Sequence, residues 1–335
     1  MKHGIFTISL DFELHWGGSE KWTLDAAKKK YFDQTRSLIP KLLNTFQQHK
    51  VHVSWATVGL LMHRSYDELK KNIPALKPSY EQHELSAYHY IENRKIGHNE
   101  NDDPYHFADS LIREIMQYQG QEIASHSFAH YYCNEAGQSI AQFKADCEAI
   151  SQAALAYDKP LISLVFPRNQ YNADYLSVCA SAGIRIIRSN PVDWWWNTAE
   201  GAQKESAWKR LNRGLDAYLN LGGKTSYGFN AIKKENGVYK LPASRLLRPF
   251  NPKEFLLNEK KIRRIKTEMT IAAKNNEFYH LWWHPHNFGL YASANMKGLR
   301  QILNHYTLLQ DKFSMKSLNM GEIAEHLDNN SFSDA

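Results

Sequence analysis

Long apolar runs are absent from this sequence of 335 residues. No stretch of about 18 consecutive apolar residues occurs, so the sequence predicts no transmembrane helix. The first residues enter a strand-like pattern at once, without the basic segment, apolar segment and small-residue cleavage site of a signal peptide. We therefore expect a soluble, cytoplasmic protein.

Cysteine is scarce in this chain. Its three cysteines, Cys133, Cys147 and Cys179, lack the paired spacing of a zinc-binding knuckle. An odd number of cysteines without an export signal also argues against a framework of disulfide bonds. We expect three reduced thiols, each serving as a small buried apolar side chain.

A large excess of charge of one sign is also missing. The 41 basic and 35 acidic residues leave a formal net charge of +6, which favours anionic partners only mildly. We expect no nucleic acid as a partner. One helical stretch carries a local basic cluster, which would attract a phosphate-bearing sugar carrier or a membrane surface, or would simply face solvent. It consists of Lys260, Lys261, Arg263, Arg264 and Lys266.

The chain does have a regular alternation of strand and helix patterns. Short apolar, β-rich segments recur at residues 4–10, 52–58, 121–125, 161–166, 184–188 and 278–283. Helical patterns lie between and after them, for example at 26–49, 172–182 and 295–310, and Ser139 with Gln142 forms a capping box that opens another helix. This alternation predicts an α/β fold with parallel strands, and about seven units favour a (β/α) barrel over an open sheet. We expect one domain over residues 1–330, with insertions at about 76–106 and 189–241.

The most specific chemical signal is the pair His126 and His130 in the segment Glu-Ile-Ala-Ser-His-Ser-Phe-Ala-His. Two imidazoles four residues apart point the same way if they sit on one turn of helix. With a carboxylate from Asp11 or Glu13, they would form a facial metal-binding set that leaves positions open for water and substrate. An isolated pair with this spacing is more often an ordinary surface or core-edge pair, so the rest of the constellation matters.

Other candidate residues also come directly after predicted strands. Asp11 and Glu13 follow the first strand, Arg168 follows the strand at 161–166, and His284 follows the strand at 278–283. Active residues of (β/α) barrels sit at the C-terminal ends of the strands. We therefore expect these side chains and the two histidines to converge at one mouth of a barrel.

These motifs resemble those of the polysaccharide deacetylases with a NodB-type domain, which are metal-dependent carbohydrate esterases on a distorted (β/α)7 barrel. The histidine motif His-Ser-Phe-Ala-His is intact at 126–130, and Leu-Trp-Trp-His at 281–284 matches the family's last motif. The first motif departs from the family, because its second acid is a glutamate one place later than usual, in Ser-Leu-Asp-Phe-Glu at 9–13. The third motif, Phe-Pro-Arg-Asn-Gln-Tyr at 166–171, lacks the inner proline. The motifs follow the family's order from about residue 4 to 290.

The resemblance implies a site for one divalent metal ion, expected to be zinc. Its ligands would be Glu13, His126 and His130. Asp11 itself is the competing carboxylate, and His15 and Glu122 are further alternatives.

The resemblance also implies the catalytic roles. Asp11 would be the general base that takes a proton from water, with a helix cap or turn former as its structural alternative. His284 would be the general acid for the leaving amine, with His280 and His286 as nearby alternatives. Arg168 would pair with Asp11 and keep it ionised, or would form a structural salt bridge. The backbone N–H of Tyr171 would help to stabilise the tetrahedral oxyanion.

By this resemblance, we expect an enzyme that removes an acetyl group from an N-acetylated sugar or glycan, on a cytoplasmic precursor of an O-antigen type of surface polysaccharide. One alternative keeps the metal and changes the substrate to a small ureide or cyclic amide. A different alternative is an inactive carbohydrate-binding barrel, which the altered first and third motifs leave open.

Overall fold

The computed structural model describes residues 3–94, 96–170, 172–191, 208, 216, 223 and 225–329. The strands of this described part belong to one sheet. They are β1 (Ile5–Phe12), β2 (Val53–Thr57), β3 (Gln121–Ser125), β4 (Ser163–Val165), β5 (Ile186–Ser189), β6 (Lys233–Glu235), β7 (Val238–Pro242), β8 (Arg245–Leu246), β9 (Phe278–Trp283) and β10 (Lys316–Ser317).

The central strands form a parallel ring. β1 pairs with β2 on one side and with β9 on the other, and β3, β4, β5 and β7 follow β2 in order. Outside this ring, β6 forms an antiparallel hairpin with β7, and β10 pairs with the first residues of β1.

A single bent segment closes the ring. β7 pairs with β5, and β8, which follows after two residues, pairs with β9. Between them, the Ala243 N–H donates to the Ser189 carbonyl at 2.9 Å and the Ser244 N–H donates to the His280 carbonyl at 2.8 Å. The chain therefore crosses from one neighbour to the other, and the predicted distorted (β/α) barrel is confirmed.

The helices of the described part lie between these strands and over the ends of the ring. They are α1 (Ala26–Gln48), α2 (Tyr66–Asn72), α3 (Ala87–Asn93), α4 (Asp109–Met116), α5 (Ile140–Ala154), α6 (Ala173–Ser181), α7 (Phe255–Asn275), α8 (His286–Gly289), α9 (Ala292–Phe313) and α10 (Met320–Asp328). The capping box of Ser139 and Gln142 is confirmed at the start of α5. α9 extends three residues beyond each end of the predicted 295–310.

Alternation along the strands decides which side chains enter the ring. Every residue of β1 is buried, but Phe6, Ile8, Leu10 and Phe12 pack with the surrounding helices, whereas Ile5 packs inside. Successive side chains of a strand point to opposite faces, so residues 7, 9 and 11 share the inward face with Ile5. Along β1, the inward face thus changes from apolar at Ile5 to polar at residues 7, 9 and 11.

The N-terminal end of the ring is plugged by α10. Met320, Ile323 and Ala324 of this helix pack in one buried cluster with inward residues of the strands. Glu122 lies at this end, where it accepts hydrogen bonds from the hydroxyls of Ser54 and Ser163. The C-terminal ends of the strands are therefore where a site can lie, and Glu122 is not part of that site.

The predicted basic cluster does not form one surface. Lys261 is buried and donates to the Pro249 carbonyl and to Asn258, at 2.6 and 2.8 Å. Arg264 is engaged with Glu268 and Asp216. Lys260 and Arg263 remain exposed on α7. Helical spacing distributes the five cations around α7, so only part of the cluster faces solvent, which was the alternative to contact with a phosphate-bearing carrier or a membrane surface.

Two further sequence predictions concern membrane-spanning helices and insertions into the domain. Within the described residues, no helix is both long and apolar enough to cross a membrane. Of the predicted insertions, 76–106 contains α3. The insertion predicted at about 189–241 includes β6 and most of β7, which is a strand of the ring, so its predicted end is wrong. Residues 192–222 of this range lie almost wholly outside the described residues. The boundaries of the domain stay a prediction.

Candidate metal centre and catalytic residues

The histidine pair sits in an irregular loop after β3, not on a turn of helix. Ser127 and His130 adopt positive φ angles of 59° and 54°. The carboxylate of Asp146 accepts hydrogen bonds from the N–H groups of Phe128 and Ala129, at 2.6 and 2.9 Å. Burial raises the pKa of Asp146 to about 7. The loop is thus fixed by a carboxylate of α5. The helical arrangement considered from the sequence is wrong, although both imidazoles still converge.

Glu13 is the point at which the two imidazoles meet. Its Oε1 lies 3.0 Å from His126 Nε2 and 3.2 Å from His130 Nε2. The three residues are buried, and they form one of the groups that could hold a metal ion. Nitrogen and oxygen ligands of a tetrahedral zinc, each about 2.0–2.2 Å from the ion, lie about 3.3–3.6 Å apart. The spacing is therefore close to that of a preformed site.

The chemistry of the donors also fits a cation. His126 Nδ1 lies 2.7 Å from the Val165 carbonyl, which only accepts, so Nδ1 carries a proton. In the neutral imidazole, Nε2 then has a lone pair that faces a carboxylate oxygen, and two acceptors in contact call for a positive charge between them. His130 is held in a similar way, because its Nδ1 lies 2.9 Å from the hydroxyl of Tyr132.

The protonation states favour the ligand forms. Burial opposes ionisation of Glu13, but the surrounding His284, His126 and His130 hold its pKa well below the ordinary value. Burial lowers the pKa of His130, which favours the neutral imidazole. An ionised carboxylate and neutral imidazoles are the forms that bind metals.

Two adjacent glycines make room for Glu13 and for Trp22. A Cβ atom on Gly17 would lie 1.9 Å from Glu13 Oε2, and one on Gly18 would lie 2.7 Å from the ring of Trp22. No side chain fits at Gly17 unless the Glu13 carboxylate moves. The sequence reasoning missed this constraint, although two successive glycines just after a candidate ligand were the available signal.

Asp11 is held by Arg188, not by Arg168. Arg188 donates to both carboxylate oxygens of Asp11, at 2.6 and 2.7 Å, and its guanidinium lies 4.2 Å from the centre of the Trp282 ring. The Arg188 nitrogens also donate to the side chain of Asn169 and to the hydroxyl of Ser9. Although burial opposes ionisation, Arg188 and then His284 keep the pKa of Asp11 below its ordinary value.

Arg168 has different partners, so its predicted pairing with Asp11 is wrong. It donates to Glu20 at 2.6 Å and to Glu135 at 3.2 Å, and it lies 4.0 Å over the ring of Tyr132. The inward position on neighbouring β5 is already taken by Arg188, and Arg168 sits in a turn with a φ of 54°. Arg168 therefore supports the surroundings of His130 through Tyr132. The sequence reasoning missed Arg188, which lies on β5.

His284 completes the group at the mouth of the ring. Its Nε2 lies 3.6 Å from Asp11 Oδ2 and 3.7 Å from Glu13 Oε1. Its side chain is 25% exposed, so it is accessible to a substrate. The Asn287 amide lies 3.4 Å from its Nδ1.

The alternative histidines do not share this position. His280 is buried inside the ring 2.9 Å from the Ser9 hydroxyl, and burial lowers its pKa to about 3. His286 is also buried, with a pKa lowered to about 3 chiefly by burial. His15 Nδ1 lies 3.0 Å from His106 Nε2, and His15 Nε2 lies 3.1 Å from the Trp22 carbonyl oxygen. Burial lowers the pKa of His15 to about 4. Tyr171, the predicted oxyanion donor, lies outside the described residues.

No protein-family model matches the chain, and no curated protein matches it. Solved structures do match it over nearly its whole length. A protein from Mycobacterium smegmatis assigned as a polysaccharide deacetylase is 13% identical, with a TM-score of 0.60 over 99% of this chain and 92% of the other. A protein from Pseudomonas aeruginosa PAO1 assigned as a polysaccharide deacetylase is 12% identical, with a TM-score of 0.56 over 97% of this chain and 91% of the other.

The Puue allantoinase is similar to the same degree. It is 10% identical, with a TM-score of 0.57 over 97% of this chain and 90% of the other. At such identities the comparisons establish the fold alone. The chain has the polysaccharide deacetylase fold, as the sequence motifs predicted.

Replacement of Gly17 tests whether the Glu13 carboxylate is a metal ligand. In Gly17→Ala the new methyl group would displace Glu13 Oε2, so we expect zinc affinity to fall at least about tenfold. Competition with a chromophoric chelator measures this affinity. Gly298→Ala is the control, because its Cβ would meet only Ile262, at 3.3 Å. Unchanged zinc affinity in a folded Gly17→Ala variant would contradict the assignment of Glu13.

Proposed function

We propose that this chain is a metal-dependent hydrolase that removes the acetyl group from an N-acetylated sugar or glycan. One observation carries the proposal: Glu13, His126 and His130 converge beside Asp11 and His284 at the C-terminal mouth of the barrel. A metal set, a candidate base and a candidate acid are the parts that hydrolysis of an amide requires.

Glu13, His126 and His130 are the proposed ligands of one divalent ion. Two imidazoles and one carboxylate suit zinc, and they leave positions for water and substrate. When bound, the ion would supply Lewis-acid polarisation of the acetyl carbonyl and would lower the pKa of the attacking water.

Asp11 is the proposed general base. Arg188 holds both carboxylate oxygens, which fixes the orientation of Asp11 and keeps it ionised. The carboxylate takes a proton from the water that attacks the carbonyl carbon. Arg188 is therefore proposed as the positioning residue for the base, a role that the sequence motif had placed on Arg168.

His284 is the proposed general acid. It is partly exposed and lies beside Asp11 on the open side of the group. It gives a proton to the amide nitrogen as the carbon–nitrogen bond breaks, which releases acetate and a free amine. The backbone N–H of Tyr171 remains the proposed donor to the oxyanion.

A second candidate function is hydrolysis of a small ureide or cyclic amide. Its specific support is the similarity to an allantoinase, whose TM-score lies between those of the two polysaccharide deacetylase assignments. The same base, acid and metal ligands would serve both reactions, because each cleaves a carbon–nitrogen bond at a carbonyl carbon.

The proposed substrate is a cytoplasmic precursor of a surface polysaccharide of the O-antigen type. The three cysteines support a reducing compartment, because all are buried free thiols. Detection of the native protein outside the cytoplasm by cell fractionation would contradict this placement.

Acetate release tests the reaction. The zinc-loaded protein is expected to release acetate from N-acetylated sugars and to leave ureides unchanged. Asp11→Asn should lose about 10²–10⁴-fold in kcat because it removes the base, while its zinc content stays that of the wild type. Hydrolysis of ureides without acetate release would favour the second function, and an Asp11→Asn variant as active as the wild type would overturn the mechanism.

The roles of Arg188 and Arg168 can be distinguished by replacing each arginine with lysine. Arg188→Lys should lower kcat by about 10²-fold, because lysine cannot hold both oxygens of Asp11. Arg168→Lys should change kcat by less than about threefold, because a lysine retains a point charge for Glu20 and Glu135. Both variants should keep the zinc affinity close to that of the wild type, because neither arginine is a proposed metal ligand. An equal loss of kcat in both would contradict the assignment of Arg188.

A further inference from the structure

The two candidate ligand histidines are not fixed equally by their surroundings. His126 Nδ1 faces the Val165 carbonyl, which only accepts, so the neutral imidazole carries its proton on Nδ1 and its lone pair on Nε2. His130 Nδ1 instead lies 2.9 Å from the hydroxyl of Tyr132. A hydroxyl both donates and accepts, so Tyr132 alone leaves the tautomer of His130 open. A further group has to select the tautomer whose Nε2 can bind a metal ion.

Glu20 supplies an acceptor for the Tyr132 hydroxyl. The hydroxyl donates to Glu20 Oε1 at 3.4 Å, and both side chains are buried. Arg168 donates to the same oxygen at 2.6 Å, which favours the ionised form of Glu20. An ionised carboxylate only accepts hydrogen bonds, so the proton in this contact belongs to Tyr132.

The number of hydrogen bonds decides between the two tautomers of His130. If the Tyr132 hydroxyl donates to His130 Nδ1, its hydrogen bond to Glu20 is lost and Nε2 carries the proton. If the hydroxyl donates to Glu20, its oxygen accepts from the Nδ1–H group, and both hydrogen bonds form. The second arrangement has one more hydrogen bond, and its acceptor is charged. It leaves the lone pair on Nε2, which lies 3.2 Å from Glu13 Oε1.

Packing holds the Tyr132 ring in the position that this arrangement requires. The Arg168 guanidinium lies 4.0 Å from the centre of the ring, and the His130 ring meets it at an interplanar angle of 83°. The N–H of Tyr132 donates to the hydroxyl of Tyr80 at 2.8 Å. The Tyr132 hydroxyl is therefore held between His130 Nδ1 and Glu20 Oε1.

We propose that Glu20 and Tyr132 are positioning residues of the candidate metal site, which act by selecting the tautomer of His130 that binds a divalent ion. Hydrogen-bond partners behind a ligand imidazole fix its orientation and raise its basicity. Arg168 balances the charge of Glu20 and makes no hydrogen bond to His130 itself. The inference rests on the proposed function, because it takes His130 to be a metal ligand.

Zinc affinity, measured by competition with a chromophoric chelator, tests this role without turnover. Tyr132→Phe should weaken zinc binding about 10–100-fold, because His130 Nδ1 loses its acceptor. The matched control is Tyr131→Phe, which removes the neighbouring hydroxyl that donates to Gln138 and to the Ser139 carbonyl. The control should bind zinc as the wild type does. Equal losses of affinity in the two variants would overturn the proposal.

A second pair of variants tests Glu20. Glu20→Gln should weaken zinc binding about tenfold, because the charged acceptor of the Tyr132 proton is lost. Its control is Glu135→Gln, which removes the other carboxylate that accepts from Arg168 and should leave zinc affinity unchanged. In the Tyr132→Phe background, Glu20→Gln should cause no further loss, because Glu20 acts through the hydroxyl. An undiminished further loss in that background would show that Glu20 acts by its charge alone and would overturn the proposal.

These measurements separate the inference from the proposed function. Wild-type zinc affinity in both Tyr132→Phe and Glu20→Gln would overturn the roles of these two residues, while the metal ligands and acetate release would stand. A wild-type protein that binds no zinc would contradict the ligands themselves, and the inference would fail with them.

Discussion

The structure depends on how the negative charges of two buried carboxylates are neutralised at the C-terminal mouth of the barrel. Asp11 and Glu13 are 3% and 4% exposed, and both are favoured in the ionised form. A buried charge without a partner is strongly destabilising. Arg188 neutralises Asp11 through two hydrogen bonds, whereas Glu13 faces imidazole nitrogens and has no arginine or lysine partner in the described part of the chain. That remaining negative charge is the physical reason for assigning a cation to Glu13, His126 and His130.

The barrel supplies this arrangement through strand alternation. Inward positions of β1, β5 and β9 carry Ser9, Asp11, Arg188 and His280 at neighbouring levels, so these polar groups meet inside the ring. The bent segment of β7 and β8 closes the ring between β5 and β9, which brings Arg188 of β5 into contact with Trp282 of β9. The loop after β3 then adds the two histidines, fixed by Asp146.

Much of this could be predicted from the sequence. The alternation of strands and helices indicated a barrel, and the position of Asp11, Glu13, His126, His130 and His284 just after strands indicated their convergence. Motifs are local, so they locate residues well when each residue follows its own strand. They fail where the choice depends on contacts between distant segments. Both Arg168 and Arg188 lie near strand ends, and only the inward register of β5 decides in favour of Arg188.

Other features need tertiary packing in the same way. The basic cluster on α7 was divided by burial of Lys261 and by the partners of Arg264, neither of which helical spacing reveals. The role of Gly17 depends on where the Glu13 carboxylate folds back towards it.

The most direct test of the central claim is elemental analysis of the purified protein beside the His126→Ala/His130→Ala variant. The account predicts about one zinc or similar divalent ion per chain in the wild type and none in the variant, with the fold of both intact by circular dichroism. A wild-type protein that binds no divalent ion even after incubation with zinc would contradict it. Equal metal content in the two proteins would also contradict it, because the ion would then lie elsewhere.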